Sequence, residues 1–370
     1  MKIGLDISQI VHKGTGVARF TEGLVNAILD YDNKNHWSFL FYSLRRNLDR
    51  NIEEKITKKG HQLIKWKLPP TLVSLLWNRC HQFKILNLKF KINLDWFISS
   101  DWIEPPTQGI KKATIVHDLV FLRHPETVNK KILFNQTQRL YWVKKESNLI
   151  FADSQTTKSD LINLLNIPEE KIQVNYPGVE VTKPTQAVIE ETLAKFDLKK
   201  PFILTVGKIE PRKNLKRLIK AMKQWNNEAI KLVIVGPRGW EQFGNKTMEQ
   251  YNNVKFLGYI DDVDLYSLYS SCLFFINPSI WEGFGYPLIE AMSLKTPIAC
   301  SNIKPFVEIV KNAAIFFDPL KTDDIADKIN KITVDTTLRK KLIENGKIRA
   351  KEFNWKNYYN KLVETLNSNI

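Results

Sequence analysis

Two doubly wound, Rossmann-like α/β domains are predicted for this chain, on three observations. Apolar runs of strand character alternate with amphipathic stretches of helix length, and the whole alternation occurs twice. It restarts at Phe202-Ile203-Leu204-Thr205-Val206 after a stretch with few patterns. The length, 370 residues, suits two domains of ordinary size. The expected units are residues 1–180 and 181–352, followed by a final segment 353–370, with the linker near Gly178–Thr185.

The first strand is Lys2–Ile7, and no signal-peptide apolar region precedes it. Gly14-Thr15-Gly16 then leads into a helix with Val17, Phe20, Leu24, Ala27 and Ile28 on one face. A glycine turn feeding a helix N-terminus suits an anion. This one lacks both the third glycine of a dinucleotide fingerprint and the P-loop lysine. Trp37–Tyr42 is the next strand, and Thr71–Leu86 reads as an amphipathic helix. Leu72, Leu75, Leu76, Phe83 and Leu86 share a face there, with Arg79, His81 and Lys84 around it. Such a helix either packs on a core or lies on anionic lipid. Asp95–Ser99 and Ala113–Leu119 are strands, the latter ending in His117-Asp118. Ligands of open α/β sheets bind outside the carboxyl ends of strands, so these two residues are site candidates. Helices over Phe134–Lys145 and Thr156–Leu165 and strands over Leu149–Ser154 and Lys171–Asn175 complete the first alternation. A short helix, Ala187–Phe196, follows.

In the second half, strand Phe202–Gly207 opens into a loop, Lys208–Asn214. A helix follows with Leu215, Leu218, Ile219 and Met222 on one face and Asn214 as its expected N-cap. Lys208, Arg212 and Lys213 thus gather at a helix N-terminus, a setting for phosphate. Leu232–Gly236 and Val254–Gly258 are strands, and Asp261 can cap a helix running to about Ser271. The apolar run Leu273–Ile276 then leads into Ser279–Met292, with Pro287 suited to the start of a helix. Gly283 and Gly285 let the backbone approach a ligand. Carboxylates repel phosphate, so Glu282 and Glu290 are expected to accept hydrogen bonds from hydroxyls. A phosphate group together with several hydroxyls describes a nucleotide sugar. Strands Pro297–Cys300 and Ala314–Phe317 and helices near Asp323–Ile332 and Thr337–Phe353 end the pattern.

The net charge is +16, and residues 34–92 hold 13 Lys and Arg against 3 Asp and Glu, a net of +10. Such a balance attracts polyanions. No RNA-binding aromatic motif, zinc finger or helix-turn-helix signature accompanies it, so no nucleic-acid partner is expected, and an anionic membrane surface remains a candidate partner for 34–92. Three scattered cysteines give neither metal spacing nor a disulfide framework. No window approaches 18 consecutive apolar residues. A cytoplasmic, metal-independent protein is the simplest expectation.

The segments EGFGYPLIE (Glu282-x7-Glu290), VGKIEPRKNLKRLIKAM (Val206–Met222), KGTGVARF (Lys13–Phe20), TIVHDL (Thr114–Leu119) and SQTTKSDL (Ser154–Leu161) resemble those of retaining glycosyltransferases of the GT-B fold, group 1. The resemblance covers nearly the whole chain. It implies two Rossmann-like domains facing across a cleft, the first on the acceptor side and the second binding the nucleotide sugar. It also implies that the tail, Glu352–Lys356, leads a helix back to the first domain. By the same resemblance Glu290 holds the ribose hydroxyls and Glu282 faces the sugar hydroxyls. Gly283, Phe284, Gly285 and Tyr286 bring backbone N–H groups to phosphate. Lys213, with Arg212 or Lys208, neutralises the leaving diphosphate; many relatives have Arg where Lys208 stands. Ile260, in Gly258-Tyr259-Ile260, borders the base, His117 lies beside the transferred sugar, and Gly16 lies near the diphosphate. No cofactor or metal is implied beyond the donor. TIVHDL and VGKIEPRKN are closest to mannosyl- and rhamnosyltransferases of surface polysaccharide assembly, which favours GDP-mannose. UDP- and dTDP-sugars, a nucleotide-sugar epimerase and a non-catalytic basic binding module are the alternatives. The acceptor is expected to be a glycan or a lipid-linked glycan, met at the inner face of the cell membrane.

Overall fold

The structure is a computed structural model that describes residues 1–82, 93–107, 109–239 and 253–369. The chain divides into two compact units: Met1–Gly178 together with Asn354–Ile370, and Val179–Phe353.

Unit 1 is built from β1 (Lys2–Asp6), α1 (Gly16–Tyr31), β2 (His36–Tyr42), α2 (Arg50–Lys58), β3 (Gln62–Trp66), α3 (Pro70–Ser74), β4 (Trp96–Ser99), β5 (Lys111–Val116), α4 (Val120–Arg123), α5 (Lys130–Glu146), β6 (Leu149–Ala152), α6 (Gln155–Leu165) and β7 (Ile172–Val174). Its sheet is parallel in every pair, in the order β3-β2-β1-β4-β5-β6-β7. Strands covered by helices on both faces read as unbroken apolar runs, which is why β2 and β4 to β6 are legible in the sequence. Chain order reverses between β1 and β4, which is the topological switch point at whose carboxyl end ligands bind.

Unit 2 repeats the plan with α7 (Gln186–Lys195), β8 (Phe202–Val206), α8 (Leu215–Trp225), β9 (Lys231–Val235), β10 (Val254–Gly258), α9 (Asp262–Ser271), β11 (Phe274–Asn277), α10 (Tyr286–Ser293), β12 (Ile298–Ser301), α11 (Lys304–Val310), β13 (Ala314–Phe317), α12 (Thr322–Val334) and α13 (Thr336–Ala350). The order is β10-β9-β8-β11-β12-β13, again all parallel, with the switch between β8 and β11. Its core joins Leu218, Ile219 and Met222 of α8 to Ile203, Ile234 and Ile276 of the sheet and Ile325, Ile329 and Ile332 of α12. The last element, α14 (Trp355–Asn367), belongs to unit 1 and packs on α1.

Several expectations need correction. The helix expected over Thr71–Leu86 is α3 followed by one wider turn, Leu75–Arg79, in which the Cys80 N–H reaches back five residues to the Leu75 carbonyl at 2.9 Å. It stops by His81, whose φ of 50° no helix tolerates. Phe83, Lys84 and Leu86 of that expectation lie outside the described residues. Trp77 of this turn is buried in the core, whereas Leu72 and Leu75 are exposed. Asn214 does not cap α8 through its side chain: it sits in the left-handed region at φ 58°. Its side-chain amide instead donates to the carbonyls of Pro278 (3.0 Å) and Pro319 (2.7 Å). Elsewhere the capping expectation holds, with the Asp261 carboxylate accepting from the Asp264 N–H at 2.9 Å. Among the described residues no helix is long and apolar enough to cross a membrane.

Candidate active site

In unit 2 the two loops that leave β8 and β11 meet at the switch point. Backbone and side chain both join them. The Ile280 N–H donates to the Arg212 carbonyl at 2.8 Å, and Asn214 holds the Pro278 carbonyl. A single turn, Pro211–Lys213, carries the two cations inward. Close approach has a steric condition nearby. A Cβ on Gly236, at φ 145°, would lie 2.1 Å from the Gly207 carbonyl oxygen, so the β8 and β9 loops touch only because that position is glycine.

The centre of the site is Glu282, 9% exposed. One carboxylate oxygen takes the Lys213 ammonium at 2.5 Å and the Ser279 hydroxyl at 2.8 Å, while the other takes the Arg212 guanidinium at 2.5 Å. Arg212 also donates to Glu210 at 3.1 Å, and Lys208 lies 3.3 Å from the other oxygen of Glu210. Burial raises the Glu282 carboxyl, but the Arg212 and Lys213 charges, with the Lys213 and Ser279 hydrogen bonds, outweigh it and hold the pKa down at about 2. Burial and the neighbouring Arg212 push the Lys213 ammonium below its usual range, against the pull of Glu282. The chemistry available is a compact positive site whose charge is balanced within the protein and can be redirected to an incoming anion.

Gly285, at φ 106°, is the residue before α10, and Tyr286 and Pro287 begin that helix. Phe284 is 4% exposed, its ring 5.4 Å from Tyr286 and 5.7 Å from Phe353. This packing fixes the loop that includes Gly283. Glu290 lies on α10 and is 2% exposed. Ile260, 8% exposed, follows β10 at the edge of the same sheet, preceded by Gly258 at φ 73° and by the exposed Tyr259. The structure therefore brings Arg212, Lys213 and Glu282 into direct contact. It places Lys208 one residue out, through Glu210.

Unit 1 holds the other candidates. Gly16 is the first residue of α1, and the turn proper is Gly14, at φ 81°; the Thr15 hydroxyl caps the helix by accepting from the Ala18 N–H at 3.2 Å. His117 follows β5, its Nδ1 2.7 Å from an Asp153 carboxylate oxygen and its carbonyl accepting from the Thr157 hydroxyl at 3.1 Å. Its Nε2 is buried with no hydrogen-bond partner. Burial lowers the imidazole, but the charge and hydrogen bond of Asp153, with Asp101 adding and Arg139 subtracting, raise its pKa to about 9. At neutral pH it is an imidazolium with one N–H committed and one to offer. Asp118 accepts from the Val120 N–H at 3.0 Å.

Sequence reasoning missed Asp153 and Glu210 as site residues. For Asp153 a signal existed. β5 and β6 run parallel with Val116 opposite Ala152, so the next residues, His117 and Asp153, end neighbouring strands at one level. Asp262-Val263-Asp264 has the Asp-x-Asp form that holds a metal in some sugar transferases. Asp264 is buried in the first turn of α9 and bonds Lys195 (2.6 Å) and Thr192 (3.0 Å), which ties α9 to α7.

Comparisons with known proteins identify the family. The family model "Glycosyl transferases group 1" matches residues 189–349, which span the unit 2 site. O-antigen chain mannosyltransferase B of Escherichia coli is 30% identical over 376 residues, covering 96% of this chain and 97% of its own. O-antigen chain mannosyltransferase RfbU of Salmonella typhimurium is 28% identical over 57% of this chain and 58% of its own. Among solved structures, Anabaena HepE with UDP and glucose superposes over the full length of both chains, with a TM-score of 0.70 and 18% identity. A Thermosynechococcus elongatus sucrose-phosphate synthase gives 0.76 at 17% identity, covering 100% of this chain and 98% of its own. The fold is thus GT-B. With a family model on the unit 2 site and a relative matched end to end, the chain belongs to the group 1 glycosyl transferases.

Proposed function

We propose that the protein is a retaining mannosyltransferase that moves mannose from GDP-mannose to a growing surface glycan of the O-antigen type. The observation that carries the reading is the Arg212–Glu282–Lys213 cluster at the switch point of unit 2. Two cations held by one carboxylate suit a leaving diphosphate, and the end-to-end likeness to an O-antigen chain mannosyltransferase favours mannose.

In this reading the diphosphate takes over the charge of Arg212 and Lys213, with Lys208 nearby, and the backbone N–H groups of Gly283 to Tyr286 contact its oxygens. Glu282, released from its ion pairs, turns to the sugar hydroxyls, and Glu290 receives the ribose hydroxyls. Ile260 borders the base, and Gly16 lies towards the diphosphate. The bond from the anomeric carbon to the diphosphate oxygen breaks. The acceptor oxygen forms its bond on the same face, and its proton passes to the departing phosphate oxygen. The protein's share is positioning and stabilisation of negative charge on the leaving group, with no resident cofactor or metal required. His117 donates from Nε2 to the transferred sugar. A glycosidase-like carboxylate nucleophile is not needed, because Glu282 serves charge and hydroxyls.

The exposed, basic portion of residues 34–82, which includes Arg45 and Arg46, would bring the enzyme to an anionic membrane face where a lipid-linked acceptor resides. The testing experiment is transfer from GDP-mannose, UDP-glucose and dTDP-rhamnose to mannan-type acceptors, with product stereochemistry read by NMR. Transfer of α-mannose from the α-linked donor is expected. Products epimerised without transfer, or transfer from a different donor alone, would replace the reading.

A further inference from the structure

α14 returns to unit 1 and lies along α1. Its first residue, Trp355, is seated against two glycines. A Cβ on Gly23 would lie 2.1 Å from the indole, and one on Gly178 would lie 2.4 Å from the Trp355 backbone N. Three residues before Gly23 on α1, the Phe20 ring meets Trp355 at 5.6 Å and Tyr358 at 5.5 Å, both edge-on, and Trp355 meets Tyr358 at 5.5 Å. These three side chains are 2%, 5% and 1% exposed. On its other side Phe20 packs against the His117 imidazole, with centroids 4.5 Å apart and planes at 69°.

A hydrogen bond at Nδ1 alone lets an imidazole swing about its bond to Asp153 and turn Nε2 away. The Phe20 ring blocks that swing, and Phe20 is held by the two aromatic residues of α14. The Asn175 amide, after the edge strand β7, donates to the Tyr358 carbonyl at 3.0 Å and so ties α14 to the unit 1 sheet. The Tyr358 hydroxyl is buried without a hydrogen-bond partner, in the field of Asp153. The ionisable groups facing His117 are thus Asp153 after β6, Asp101 after β4, Arg139 of α5 and, behind Asp153, Tyr358 of α14.

We infer that α14, acting through Trp355, Tyr358 and Phe20, is the positioning element that fixes the plane of the His117 imidazole and aims its Nε2–H. Phe20, Trp355 and Tyr358 are positioning residues, all buried and acting through His117. The inference deepens the reading of His117 as the donor to the transferred sugar, and its decisive test does not depend on that reading. The full-length protein is labelled at histidine with ¹⁵N, and the His117 signals are identified by their loss in His117→Ala. In the unmodified protein His117, held up by Asp153, is expected to titrate at about 9. In Phe20→Leu, which stays apolar but is smaller and lacks the ring, water reaches the His117–Asp153 pair and screens the Asp153 charge. The midpoint is then expected to fall by about one unit or more towards the unperturbed value of about 6.5. Trp355→Leu tests the same point from α14 and serves if Phe20→Leu does not fold; Trp355→Phe is expected to restore the unmodified behaviour. A titration of His117 unchanged in either folded leucine variant overturns the proposal. In the transfer assay, kcat is expected to fall roughly tenfold or more with donor KM unchanged, as for a misaimed group. If the titration moves and kcat does not, the positioning stands and the role assigned to the His117 donor fails.

Discussion

Replacing Glu282 by Gln is expected to cost stability well beyond the loss of a surface ion pair. The carboxylate is 9% exposed and is the shared counter-charge of Arg212 and Lys213. Its pKa is held at about 2, against an ordinary 4.5. At 1.36 kcal/mol per unit, that displacement corresponds to about 3 kcal/mol of favourable interaction with the ionised form. The independent figure for breaking a buried pair by removing one partner is about 3–5 kcal/mol. For a domain of this size, about 3 kcal/mol lowers Tm by roughly 6–12 °C. The sign with pH follows from a lowered pKa: the contribution is complete above about 4.5 and is lost as pH falls towards about 2. The assay is calorimetric or fluorescence unfolding at pH 7 of the protein and of Glu282→Gln. A second arm adds saturating GDP. An anion at the two cations replaces the lost carboxylate, so GDP is expected to raise Tm more in the variant than in the unmodified protein. A Tm within about 2 °C of the unmodified protein without nucleotide would refute the view that Glu282 carries the charge balance of this site. Destabilisation with no extra GDP response would leave that balance intact and refute the assignment of Arg212 and Lys213 to diphosphate.

Lys213→Ala is expected to fold and to lose turnover by about 10²–10³, the scale for deleting one charge-stabilising donor, as read by single-turnover transfer. His117→Gln is expected to lose the alkaline limb of the pH–rate profile. The His117 imidazole is raised to about 9, so its contribution to folding is complete below about 6.5 and is lost as pH rises through about 9; unfolding curves taken from pH 6 to 10 check this. Gly236→Ala would place a methyl group 2.1 Å from the Gly207 carbonyl at a φ of 145°, so nucleotide-induced stabilisation should disappear even where folded protein is recovered. Lys112→Met should unfold unit 1 more readily, by about 3–5 kcal/mol in denaturant titration, because Lys112 is fully buried between Glu104 (3.3 Å) and Glu146 (2.9 Å).

What was legible in the sequence follows from where water is excluded. β2, β5, β6, β8, β9 and β11 carry consecutive apolar residues because helices cover both faces, and their ends were read to within two residues, except that β5 stops at Val116, three residues short of the expected Leu119. β3 was missed. It is an edge strand in which only Ile64 is buried, so its composition, Gln62-Leu63-Ile64-Lys65-Trp66, carries no run and little alternation. α2 was missed for a similar reason: Ile52 and Ile56 are its only buried residues among nine. The Arg212, Lys213 and Glu282 set was visible as motif, but its mutual ion pairing was not, because 69 residues separate Lys213 from its carboxylate. Asn214 misled because an asparagine before a helix suits two roles. Its side chain can cap the helix, or, with the backbone in the left-handed region, it can reach distant carbonyls, and only tertiary contacts choose between them.

Unit 1 is discontinuous, with residues 354–370 completing a body begun at Met1. During synthesis the usual order, in which the amino-terminal domain finishes first, is therefore inverted. Unit 2 is contiguous and can close once Phe353 has left the ribosome, whereas the groove on α1 around Phe20 and Gly23 stays open until α14 emerges. A nascent chain thus holds a complete unit 2, with its Arg212–Glu282–Lys213 cluster, before its His117 side has acquired the aromatic backing of α14. Stalled or C-terminally shortened chains are then expected to bind nucleotide while failing in transfer.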